Sequence, residues 1–459
     1  MEPSAESTTI KHKLSQEQTA DSLTPNKMAP DIDSPGASNV VEPTMASLEK
    51  RADERHDPVI TLETLPAELR DQILPSAPDL PTLGSLVHAS PVLHAQYLSN
   101  RDALLRACVA RELDGFFIDA HACFMSRVSS IGSPRTNEKI TAMLDAYRGR
   151  LSGSSPRVDV YSVKPGIIRW LAAFHQNVAR PLARRYSTWA LANLTKASSS
   201  SPEDNEAEER KAAAEEPNIM LSRSEKIRIF RALYRYETYY YLFGRNRGKR
   251  RGMIPLEEIN NIFFCLFDPW EAEALGCIDV FVRHKYKRIF DQVKDDIHVL
   301  SMDYFNGTVS RGLNLTVRLL AVNDHDTLVS KMQRCLTRSH SSDDPIKGAI
   351  GSEPQRMRRD AWLNVRDEAE QRKDPLKFTG DTVPPDGPPL AWVLLWGGTY
   401  ANLYGEYIPS KLKQWGHVMW DERRWVELGA KSLVSKQWET APELVELIEV
   451  YYGWRPSGR

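Results

Sequence analysis

The chain lacks the common local motifs of catalysis. It has no Gly-x-x-x-x-Gly-Lys-Ser/Thr phosphate loop, no Gly-x-Ser-x-Gly nucleophile turn, no His-Glu-x-x-His helix and no dinucleotide-binding glycine run. The spacings those chemistries require are therefore missing, and no catalytic residue, cofactor or metal ligand is assigned. Charge of one sign is lacking too. Sixty basic residues face 61 acidic ones, for a net charge of −1, so no global field draws the chain to nucleic acid or to an anionic membrane. No apolar run approaches the roughly 20 residues a bilayer requires, and the start of the chain lacks the basic and apolar stretches of a signal peptide. The five cysteines, Cys108, Cys123, Cys265, Cys277 and Cys335, are odd in number and never reach a Cys-x-x-Cys spacing. That argues against a disulfide framework or a structural zinc site. The expected setting is reducing and intracellular, cytoplasmic and/or nuclear, with no membrane partner.

What is present is an ordinary globular composition, 41% hydrophobic over 459 residues, enough for two or three domains. Residues 1–58 contain no aromatic side chain and are rich in Ser, Thr, Pro, Glu and Asp, so burial there cannot offset ordering entropy and a disordered tail is expected. Apolar periodicity then begins. From 60 to 113, Pro66, Pro81 and Pro91 each open an apolar-periodic segment, as prolines do in first helical turns, and a fourth stripe starts at Arg101. Helical segments follow within 114–197. Residues 198–220 place four serines against an acidic, alanine-rich run, the composition of a solvated linker.

Ser222 and Glu225 form a Ser-x-x-Glu start signal for a helix carrying Ile229, Leu233, Tyr236, Tyr240 and Phe243 up to Gly244. A second helix is expected from Leu256 to Phe267. Asp268, Pro269 and Glu271 then mark the start of a third within a 221–338 helical domain. Residues 339–389 are proline-rich, charged and poorly periodic apart from a short stretch around Trp362, which predicts long loops. Eight of the eleven tryptophans fall at Trp362 or beyond, making 390–459 a Trp-rich region expected to pack on the helical domain. Trp392, Trp396, Trp415, Trp420 and Trp425 fit either a core or a recognition pocket. No period-2 alternation is sustained, so the fold class is all-α: a three-helix array followed by an irregular helical domain with long loops.

The segment LETLPAELRDQIL places Leu65, Leu69 and Ile73 on one face of an amphipathic helix, with Pro66 and Glu68 in its first turn. Leu80, Leu83 and Val87, then Val92, Leu93 and Tyr97, add two more short stripes. Such an array is too small to form a core alone and has to pack on something else. Leu-Pro-x-Glu-Leu-x-x-x-Ile-Leu followed by spaced leucines resembles an F-box. The resemblance covers Leu62 to Tyr97 and differs where a Trp commonly closes the third helix, since His94 and Tyr97 stand there. It implies docking on the small adaptor subunit of a cullin-RING ubiquitin ligase. Leu65, Pro66, Leu69, Ile73 and Leu74 would face that adaptor, supported by Leu83, Leu86 and Val87. Together with LYRYETYYYLFG, DPWEAEALGCIDVF and WGHVMWDERRW, the array also looks like a broad set of uncharacterised filamentous-fungal F-box-like proteins. That likeness implies a non-enzymatic binding protein with an unidentified target.

Two other readings stay open. Arg245, Arg247, Lys249, Arg250 and Arg251 follow a tyrosine-rich helix that also carries Arg228, Arg231 and Arg235, and basic groups beside aromatics suit a nucleic-acid or nuclear-import patch. A solvated loop between two helices explains the same residues, and with neutral overall charge a nucleic-acid partner is not expected. The array could also be vestigial within a helical scaffold. Asp324, His325 and Asp326 are adjacent, so on a helix they point about 100° apart and cannot converge on one ion or proton; they read as a polar turn or cap.

Overall fold

The computed structural model describes residues 61–132, 134–156, 158–198, 219–244, 254–297, 301–339, 345–361 and 363–453. The 1–58 tail, most of the acidic linker, the basic stretch 245–251, Trp362 and Trp454 lie outside them. Everything described belongs to one contact unit, Ile60–Arg459. The structure is about 71% helical, and its one β feature among the described residues is an isolated bridge between Pro375 and Thr399, so the chain is all-α.

The array forms three helices, α1 (Ala67–Ile73), α2 (Leu80–Ala89) and α3 (Pro91–Glu112). Their starts follow from side-chain caps. Asp79 accepts the Thr82 N–H at 2.8 Å ahead of α2, and Ser90 accepts those of Val92 and Leu93 at 3.1 and 3.4 Å ahead of α3. Proline occupies the first turn of both. The break expected before Arg101 is a kink inside α3, at Asn100 with φ −117° and ψ 20°.

The core is built around the helix Arg223–Phe243, which packs against Phe117–Met125 on one side and Pro269–Val293 on another. Fifteen of its 21 residues are buried, so polar groups on every face must find partners inside the protein. Its start is the expected capping box: Ser222 Oγ accepts the Glu225 N–H at 3.1 Å, and Glu225 Oε2 accepts the Ser222 N–H at 3.0 Å. Within 114–197, the helices Pro165–Phe174 and Arg180–Ser198 are joined by a π-helical stretch at His175–Ala179. The 256–267 helix is also shorter than its periodicity suggests. It ends at Ile262, and a 3-10 turn, Phe264–Leu266, follows.

Residues 339–389 are less loop-like than expected. They contain the helices Ser352–Ala361 and Val365–Gln371, the second started by Asn364, whose side chain accepts the N–H groups of Arg366 and Asp367 at 2.9 and 3.1 Å. A buried ion pair, Arg358 Nη1 to Asp367 Oδ2 at 2.7 Å, links the two, and Gln355 donates to the carbonyls of Ile350 and Tyr404 at 3.1 and 2.8 Å.

Glu237 is the buried acid of the central helix. Its Oε2 accepts the Leu313 N–H at 2.6 Å, at the start of the helix Leu313–Leu320. The close approach needs Gly312, with φ +84°, where an added Cβ would sit 2.5 Å from that oxygen. Burial raises the carboxyl from 4.5 to about 7, against the hydrogen bonds from Leu313 and Tyr241. The folded protein thus holds a proton that the unfolded chain loses between about pH 4.5 and 7, so stability falls as pH rises through that window. Glu237→Gln removes this loss. Relative to wild type, the variant should gain on the order of 3 kcal/mol between pH 4 and pH 8, read from urea unfolding at both values.

Candidate functional site

The α1 edge holds the residues singled out by the sequence, and it divides them. No residue of α1 is buried. Leu69 is 44% exposed, Pro66 is exposed, and Leu65 and Ile73 are half-buried. Leu62, just ahead, is exposed as well. These apolar groups stand on a backbone held by polar contacts. Arg70 Nη1 donates to the carbonyls of Glu63 and Leu65 at 2.6 and 2.8 Å, and its Nε donates to Gln96 Oε1 at 2.7 Å. Gln96 Nε2 in turn donates to the Ala67 carbonyl at 2.8 Å and to Asp71 Oδ1 at 2.6 Å. Asn100, at the α3 kink, also donates to Asp71. Between α1 and α3 runs a shallow groove of about 600 Å³ with Ala67 and Arg70 on one wall and Val92 and Ala95 on the other.

The structure places Leu74 differently from the expectation that it faces a partner. The chain tightens into a 3-10 turn at Leu74–Ser76, which takes Leu74 off the α1 face and into the core, at 0% exposure. Leu83 and Val87 are likewise buried and Leu86 packs half-buried against them, which suits a supporting layer. The residues of this set left open to solvent, wholly or in part, are Leu65, Pro66, Leu69 and Ile73.

Ion pairs bolt this layer to the rest of the unit. Glu112, at the end of α3, accepts the Leu80 N–H at 2.7 Å and pairs with Arg180 at 2.9 Å and His175 Nε2 at 3.0 Å. Burial pushes its carboxyl up, but the contacts from His175, Leu80 and Arg180 outweigh it and hold it below its ordinary value. Arg180 also reaches Asp79, the cap of α2, at 3.3 Å.

The arginines beside the tyrosines face inward. Arg228 pairs with Asp381 at 2.9 Å and Asp421 at 2.6 Å; Arg231 pairs with Glu271 at 3.3 Å. Arg235 binds Asp119 at 2.6 Å and Glu271 at 3.1 Å, with its guanidinium 4.2 Å from the Phe267 ring centre. Tyr147 donates to the same Asp119 oxygen at 2.5 Å. Arg231, Arg235, Asp119, Glu271 and Phe267 line a cleft of about 980 Å³, where Asp119 and Glu271 are both paired with these arginines. The basic side chains Arg245, Arg247, Lys249, Arg250 and Arg251 lie outside the described residues.

The described tryptophans of the C-terminal region are core. Trp392, Trp396, Trp420 and Trp425 are almost fully buried, and Trp415 and Trp438 nearly so. Trp392 and Trp396 lie 5.9 Å apart between ring centres, and Trp396 and Trp438 5.5 Å apart. Asp324 caps the helix His325–Cys335 by accepting the Thr327 N–H at 2.8 Å, while His325 pairs with Asp296.

One grouping was missed by the sequence reading. Glu273, Cys277 and His417 converge in the core, with one donor atom from each lying within 4.8 Å of the others. Burial lowers the His417 imidazole to about 3, and raises Glu273 to about 7 and the Cys277 thiol well above its ordinary value. The available signal was Glu-x-x-x-Cys at helical spacing; attention to Cys–Cys spacing alone passed over it.

Comparison with protein-family models, with curated proteins and with solved structures returns no match to this chain.

Proposed function

We propose that this chain is a protein-binding adaptor that performs no chemistry of its own and docks through the α1 edge. The observation that carries the reading is α1 itself, a helix with no buried residue that presents Pro66 and Leu69 to solvent on a backbone clamped by Arg70 and Gln96. An apolar helix edge that the protein's own core leaves uncovered gains free energy when a partner covers it. The resemblance of Leu65, Pro66, Leu69 and Ile73 to an F-box first helix names the partner class, the small adaptor subunit of a cullin-RING ubiquitin ligase. The helical remainder would hold the target protein.

Co-expression tests this. Wild-type chain should retain the adaptor subunit through purification, whereas Leu65→Asp/Leu69→Asp should retain none while melting at the wild-type temperature. If wild type retains no adaptor where an established F-box protein does, the reading fails and a helical scaffold takes its place.

A further inference from the structure

Glu273 and Cys277 are four residues apart on the helix Pro269–Val293 and so share one face. The residues after the helix Ser410–Trp415 bring His417 to that face. The turn depends on Gly416, at φ +64°, where an added Cβ would lie 2.4 Å from the Tyr186 hydroxyl. All three side chains have 0% exposure.

Their hydrogen bonds leave one donor atom of each available. His417 Nδ1 faces the Leu412 carbonyl at 3.1 Å; a carbonyl only accepts, so Nδ1 carries the proton and Nε2 keeps its lone pair. That Nε2 has no hydrogen-bond partner. Glu273 Oε2 accepts the Gly405 N–H at 2.7 Å, while Oε1 accepts no hydrogen bond and has the Lys413 ammonium 3.9 Å away. Lys413 itself donates to the carbonyls of Gly405 and Ile408. Cys277 is a free thiol. The Tyr186 hydroxyl is also buried without a hydrogen-bond partner; burial raises its pKa, and the nearby Cys277 and Glu273 add to that rise.

Unpartnered buried polar atoms are rare and cost about 1–3 kcal/mol each, so several at one point call for a missing partner. A partner that takes electron pairs from a nitrogen, a sulfur and an oxygen at once is a metal cation. We infer that Glu273 Oε1, Cys277 Sγ and His417 Nε2 bind a zinc ion that ties the 269–293 helix to the segment following Trp415. Nitrogen, thiolate and carboxylate donors are those zinc takes, and a carbonyl bond to the far nitrogen of the ligating histidine is the usual orienting contact. Thiolate and carboxylate together neutralise the ion, which suits a buried site. Bonds of about 2.0–2.3 Å put tetrahedral ligands roughly 3.5 Å apart, so donor atoms no more than 4.8 Å from one another reach that spacing by small side-chain rotations. A fourth position is left for water or the Tyr186 hydroxyl. Coordination exchanges the Cys277 S–H proton for the metal and releases it to solvent.

The test is metal content of the full, untagged chain purified without chelator, followed by chelation and reconstitution with zinc or cobalt(II). The expected result is one zinc per chain, a melting temperature lowered by chelation and restored by zinc, and a thiolate-to-cobalt charge-transfer band. Cys277→Ser and His417→Gln should each weaken binding by more than about 100-fold, beyond the range of changes one shell further out. Cys335→Ser, at a cysteine elsewhere in the fold, should leave the metal content and the band intact. Wild-type chain that carries no zinc, takes up no cobalt and melts unchanged with either metal would overturn the inference. So would zinc that persists in the Cys277→Ser/His417→Gln double variant. Measurement on the wild type keeps the test decisive should a variant fail to fold.

Discussion

Arg235→Ala should lower the unfolding free energy by about 3–5 kcal/mol, the cost of leaving a buried charge without its partner. Arg235 and Asp119 are 3% and 2% exposed, and the pair is closed at 2.6 Å. Removing the guanidinium leaves Asp119 with the Tyr147 hydroxyl and with Arg231 at 3.9 Å, too little to replace a direct ion pair in a medium of low polarity. Glu271 and the Phe267 ring lose a contact in the same step. Arg231→Ala should cost less, because Arg231 sits at the cleft wall and Arg235 keeps both acids paired. Adding Asp119→Asn to Arg235→Ala should recover part of the loss, since the stranded charge is removed with its partner. Urea unfolding of the four proteins reads all of this. A loss under 1 kcal/mol for Arg235→Ala would mean that the central helix is not organised around this pair.

Within the array, Leu74→Ala should destabilise by about 2–5 kcal/mol and Leu69→Asp by no more than about 0.5 kcal/mol, although the two residues are five apart in one leucine-rich segment. Leu74 is fully buried in the core, in a turn that packs on α3, so truncation opens a cavity in close-packed surroundings. Leu69 is 44% exposed and its charge-bearing replacement stays in water. Stability and partner binding should therefore separate: Leu74→Ala affects the first, Leu69→Asp the second. If Leu69→Asp unfolds the chain as readily as Leu74→Ala, α1 belongs to the core and is not a docking edge.

The parts of the fold legible in the sequence are those set by short-range chemistry. Ser222 with Glu225 starts a helix because the two groups satisfy each other's backbone partners within one turn, and no distant contact is needed. Asp268, Pro269 and Glu271 act over a similarly short range. The lack of period-2 alternation sufficed for the all-α class. The helix Ser352–Ala361 was hidden for the opposite reason. Its buried residues are Pro354, Gln355 and Arg358, the last neutralised by Asp367 from the next helix, so hydrophobic periodicity gave little sign of it.

Arg228, Arg231 and Arg235 illustrate the same limit at the candidate sites. Their spacing reads as a basic face, but Asp421, Asp381, Asp119 and Glu271 come from distant parts of the chain to neutralise it. Leu74 left the α1 face because Pro75 sits in a 3-10 turn, a change of pitch that an ideal helical wheel ignores. His417 is 140 positions from Cys277, and nothing in its own surroundings announces the meeting.

The central claim is that α1 is an external docking edge, and the affinity of purified full chain for the purified ligase adaptor subunit, measured by titration calorimetry, tests it most directly. The account predicts a 1:1 complex with Kd of about 1 μM or tighter, equivalent to roughly 8 kcal/mol, weakened at least about 100-fold by Leu65→Asp/Leu69→Asp with the melting temperature unchanged. Absence of binding by wild type, or equal affinity for wild type and the double variant, would contradict it.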